Sequence, residues 1–124
     1  MVAIEITSAN ISDYQDLDII AFSFADGGAQ GEGGALVIMT SDGKLYHTNF
    51  VRTISWEKAL LLCPVLKETE TDYFWVRGPE DWYAIYLGGG NNLVVKKQFK
   101  EALSEENPLD LYSMWPEILL EQMK

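Results

Sequence analysis

The chain has 124 residues, 48% of them apolar and 23% charged, and sets nineteen acids against nine bases for a net charge of −10. That length makes one domain able to bury roughly two thirds of its unfolded surface, and the composition argues against extensive disorder or a fibrous repeat. Such acidity repels nucleic-acid phosphates and anionic lipid headgroups, so neither nucleic acid nor a membrane is an expected partner.

No apolar run approaches the ~18 residues of a membrane span, and Met1 to Thr7 lacks the basic start and long apolar centre of a signal peptide. The expected location is the cytoplasm. A single cysteine, Cys63, agrees with a reducing compartment and excludes an internal disulfide or a Cys-based zinc site.

Val2 to Thr7 is short, β-branched and alternating, which predicts a strand with Val2, Ile4 and Ile6 on one face. Ser12 followed by Gln15 has the spacing of a capping box, for a brief helical turn through Leu17. Asp18 to Ala25 reads as a central strand, with Ile20, Phe22 and Phe24 on one side and Ile19, Ala21, Ser23 and Ala25 on the other. Gly34 to Val51 then reads as two strands joined at Ser41, Asp42, Gly43 and Lys44, where Asp-Gly supplies the positive φ of a tight hairpin.

Ser55 suits an N-cap, and Trp56, Leu60 and Cys63 follow at helical spacing until Pro64 forbids continuation. Tyr73 to Leu87 predicts a second, aromatic hairpin turning at Gly78 to Asp81. Gly88 to Gly90 break the chain, and Leu93 to Val95 make a short strand or the first residues of a helix. Lys96 to Asn107 is amphipathic and predicts a helix, and Ser113 to Lys124 a last one with Pro116 in its first turn. The whole is one α+β domain, residues 1–124: an antiparallel sheet of six or seven strands built from hairpins, with three helices packed on one face.

Ala25 to Ile38 concentrates five glycines beside Asp26 and Glu32. A phosphate-binding P-loop needs Lys and Ser or Thr after its last glycine, where this chain has Ala35 and Leu36. The dinucleotide spacing is reversed, and the regular acidic spacing of a calcium loop is missing. The segment reads as a glycine connection that lets a neighbour approach closely.

His47 is the only histidine, on a strand face shared with Leu45 and Val51, with no identifiable nucleophile or orienting carboxylate in its motif. Cys63 stands among leucines, where burial raises a thiol pKa instead of activating it. The carboxylate pairs Glu80/Asp81 and Glu105/Glu106 occupy turn and helix-end positions that favour solvation over acid/base work. No catalytic residue, metal site or cofactor is assigned.

What remains is charge and aromatic surface. Seven acids precede the first base, Lys44. Trp75, Trp82 and Tyr86 share the aromatic hairpin, as core or as an exposed face. The expected function is a non-enzymatic acidic protein-binding domain for a basic protein, such as an inhibitor or immunity protein that neutralises a nuclease-like toxin. Its binding residues would be Asp13, Asp16, Asp18, Asp26, Glu32, Trp75, Glu80, Asp81, Trp82 and Tyr86. The rival is a small-ligand-binding domain or small enzyme with a pocket lined by Trp75, Trp82 and Tyr86. A homodimer through an edge strand or the aromatic face is compatible with both.

Overall fold

The computed structural model describes residues 2–25, 34–50, 52–69, 81–88, 91–104 and 106–124. Among them are six strands: β1 (Ile4–Glu5), β2 (Ile19–Ala25), β3 (Gly34–Thr40), β4 (Leu45–Phe50), β5 (Trp82–Gly88) and β6 (Asn91–Lys96). Three α-helices accompany them: α1 (Trp56–Leu62), α2 (Lys100–Ser104) and α3 (Pro108–Gln122). The strands form one sheet in the order β1-β4-β3-β2-β6-β5. Every pairing is antiparallel except the short β1–β4 contact.

The α+β class and the element counts agree with the pattern in the sequence. The helices do not share one face, however. Strand alternation divides the buried side chains into two clusters on opposite sides of the sheet. Phe22, Leu36, Ile38, Tyr46 and Val94 pack with Ala59 and Leu62 of α1. Ala21, Met39, Leu93 and Val95 pack with Leu103 of α2 and with Leu111, Trp115 and Leu119 of α3. A sheet apolar on both faces needs a cover on each, and β2, an inner strand flanked by β3 and β6, feeds both cores as a central strand should.

A bulge changes one side-chain assignment. Ile19 and Ala21 pair with the adjacent residues Thr40 and Met39, so Ile20 is an inserted residue. It therefore joins Ala21 in the α3-side core, and Ile19 joins Phe22 and Phe24 on the other, against the plain alternation expected. The N-terminal strand is also shorter than expected. Ile6 is fully buried while Val2 is 90% exposed. The turn after it is a 3-10 turn at Ile11–Asp13 without a Ser12 cap. Asn10 shapes the bend, its Oδ1 accepting from Thr7 N at 2.7 Å and its Nδ2 donating to the Glu5 carbonyl at 2.9 Å.

α1 begins and ends where its punctuation says. Ser55 Oγ accepts from Lys58 N at 3.2 Å, and the helix stops before Cys63 and Pro64. The ambiguous Leu93–Val95 stretch is strand, hydrogen-bonded between β2 and β5, and the helical segment after it runs as a 3-10 turn, Lys97–Phe99, into α2. The first strand and most of the turn expected for the aromatic hairpin lie outside the described residues, and β5, its expected second strand, pairs antiparallel with β6.

α3 starts a full turn and more before the expected Ser113, so Pro108 occupies the first turn and Pro116 lies inside the helix. The Asn107 carbonyl accepts from Asp110 N and Leu111 N at 2.9 and 3.0 Å. Burial of Leu111, Trp115 and Leu119 at i, i+4 and i+8 outweighs the backbone bond that Pro116 forfeits. Among the described residues no helix is long and apolar enough to cross a membrane.

Candidate functional site

Strand direction decides which loops meet. The start of β2, the end of β3, the start of β4, the end of β6 and the start of β5 lie at one end of the sheet, because Ile19 faces Thr40, Met39 faces Leu45, Ala21 faces Val95 and Trp82 faces Lys96. Asp16, Asp18, Asp42 and Asp81 all stand at that end and are exposed.

Local hydrogen bonds hold two of these carboxylates, Asp18 and Asp42, in place. The β3–β4 turn closes with Gly43 N donating to the Thr40 carbonyl at 2.9 Å, and its positive φ, +82°, falls on Gly43 alone. Thr40 Oγ1 donates to Asp42 Oδ1, and Lys44 N donates to the same oxygen at 3.3 Å. The Thr40 bond is the main cause that holds the Asp42 carboxyl below its ordinary 3.8. Ser41 N donates to the Asp18 carbonyl at 2.9 Å and Ser41 Oγ to Asp18 Oδ2 at 2.7 Å, tying the start of β2 to the turn. Asp16 sits just before it at φ +58°, a left-handed conformation that Asp tolerates better than most residues.

Beside the turn, the last two turns of α3 wall an open cleft of about 430 Å³. Among the described residues Asp42, Glu117, Glu121 and Lys124 line it together with the apolar side chains of Leu120 and Met123. Among the described residues only two ion pairs form, Lys44 with Asp42 at 3.8 Å and Lys124 with Glu121 at 2.8 Å. Asp13, Asp16, Asp18, Asp81 and Glu117 have none.

The binding residues expected from sequence are therefore only partly gathered. Asp16, Asp18, Asp81 and Trp82 share the acidic sheet end, with Asp13 exposed in the preceding 3-10 turn. Trp82 is half-buried, its ring 5.9 Å from that of Phe22 and covered by Lys96 Nζ at 5.8 Å, so it belongs to the rim of the core. Tyr86 is 48% exposed on the same face but near the opposite end, across from Asn92. Asp26, Glu32, Trp75 and Glu80 lie outside the described residues. The strands flanking the glycine connection, ending at Ala25 and resuming at Gly34, meet it at the opposite end of the sheet from Asp18.

Sequence reasoning missed Glu117, Glu121, Leu120 and Met123, and left Asp42 out of the binding set. Glu117 and Glu121, four apart on one helix, marked a shared face, but nothing local marked the hairpin turn that α3 would meet.

His47 is half-buried in β4 across from Glu5 and Val37, and its carbonyl accepts from Ile6 N at 2.9 Å. No three His, Cys, Asp or Glu residues among those described are grouped to hold a metal. Burial pushes the Cys63 thiol up to about 12. Native protein at pH 8 should consequently leave Cys63 unmodified by a small alkylating reagent over the period in which denatured protein reacts fully, as mass spectrometry would read. Comparison with protein-family models, with curated proteins and with solved structures finds no match for this chain.

Proposed function

We propose that the protein is a non-enzymatic binding domain for a basic protein, with inhibition of a nuclease-like toxin in the manner of an immunity protein as its physiological form. The observation that supports this reading best is the sheet end itself, where Asp16, Asp18 and Asp81 are exposed and unpaired by any described cation. Exposed carboxylates without a direct ion pair present a local negative patch, which favours fast, salt-sensitive capture of a cationic surface. The neighbouring cleft adds the apolar side chains of Leu120 and Met123, against which the aliphatic stem of a lysine or arginine would pack. For the aromatic-pocket alternative, Trp82 leans on Phe22 and Tyr86 stands near the opposite end of its strand, while Trp75 lies outside the described residues.

The test titrates basic nuclease domains, inactivated at their catalytic residues, against this protein, beginning with any encoded beside it. A one-to-one complex should form at about 50 mM salt and weaken at least tenfold by about 500 mM. The triple substitution D16N/D18N/D42N should weaken it about tenfold again. Binding indifferent to both salt and substitution would overturn the reading.

A further inference from the structure

The acidic sheet end is not uniform in sign. Three of the nine bases fall within five residues, Lys96, Lys97 and Lys100. They stand where β6 ends, immediately beside the start of β2, since Ala21 is across from Val95. Two are held in place by rings, Lys96 Nζ 5.8 Å over Trp82 and Lys100 Nζ 4.6 Å over Tyr83. Among the described residues none of the three pairs with a carboxylate. Asp16 and Asp18, in the segment leading into β2, thus border Lys96 at the end of β6 and Lys97 at the start of the 3-10 turn after it. Asp42, paired with Lys44, and Asp81 flank the group on either side.

Adjacent patches of opposite sign on one surface are complementary to their own copy. A two-fold axis between β2 and β6 exchanges the two strands, so each negative patch lands on a positive one. We propose that this end of the sheet docks a second copy of the chain, with Asp16 and Asp18 of each meeting Lys96 and Lys97 of the other. The inference needs no basic partner and stands or falls separately from the function above. If both hold, the dimer covers the carboxylates until a basic protein displaces it.

Two opposed effects set the salt dependence. Exposed ion pairs are individually weak, so the dimer is weak, with a Kd on the order of 100 µM to 1 mM. Each copy also carries a net charge of −10, which repels the other at long range. The screening length is about 30 Å at 0.01 M salt, about 8 Å at 0.15 M and about 3 Å at 1 M. Net repulsion dominates at the first, local contacts survive at the second, and neither remains at the third. Dimer content should therefore pass through a maximum near 0.15 M.

Sedimentation equilibrium at up to about 1 mM protein tests this at the three salt concentrations. The expected result is a dimer most abundant at the middle one. K96E/K97E should be monomeric, and so should D16N/D18K, in which Asn suits the left-handed backbone at position 16. An equimolar mixture of the two variants should regain a heterodimer, while circular dichroism melts confirm that each is folded. A wild-type protein monomeric at all three concentrations, a dimer unmoved by either variant, or a mixture that stays monomeric would overturn the proposal.

Discussion

Replacing Gly34 with alanine should cost about 3 kcal/mol or more and lower Tm by on the order of 10 °C, at the severe end of overpacking changes. A Cβ built at this position would collide with the Ala25 carbonyl oxygen and with the Phe50 ring, whose Cε2 lies 2.7 Å away. The ring can shift only against a packed core, and the carbonyl belongs to β2 and cannot swing aside without breaking its ladder. Gly43→Ala makes the control. Its φ of +82° is unfavourable for alanine, but the nearest obstacle is the flexible Leu120 side chain at 3.3 Å, so the cost should stay near 1 kcal/mol. Urea unfolding of both variants checks the order; a Gly34→Ala protein as stable as Gly43→Ala would refute the packing argument.

Trp115→Ala should lose about 3 to 5 kcal/mol, the range for deleting a large buried aromatic. Trp115 is 2% exposed between Leu111 and Leu119, and this stripe fastens α3 to the sheet. Tyr112, on the same helix but 59% exposed, should lose less than about 0.5 kcal/mol on truncation to alanine. Because α3 also walls the cleft, Trp115→Ala should displace Glu117 and Glu121 and weaken binding of a basic partner, whereas Tyr112→Ala should leave it intact.

Local chemistry explains what was legible. Asp42-Gly43, Ser55 and Pro64 each act on their own backbone within a few residues, and the hairpin and helix they mark are where they point. The alternation of β2 was readable as central, but the bulge at Ile20 depends on pairing with Thr40 and Met39, which no window around Ile20 contains. Pro116 misled because a proline suits a helix start, and only the buried stripe through Leu111 shows that the helix is already under way. The acidic residues were countable from the chain, yet their gathering was not. Asp18 meets Ser41 across twenty-three positions, and α3 meets the turn at Gly43 from the far end of the sequence.

The strand order also bears on how the chain is made. β2 is complete early, but one of its two neighbours, β6, comes near the other end of the polypeptide, with Phe22 waiting for Val94. On the ribosome the β2–β3–β4 meander therefore emerges with an unsatisfied, apolar flank; the α1-side core is not closed until β6 is synthesised, and the other not until α2 and α3 are. A nascent chain stalled before β6 should recruit holding chaperones that the finished protein does not need.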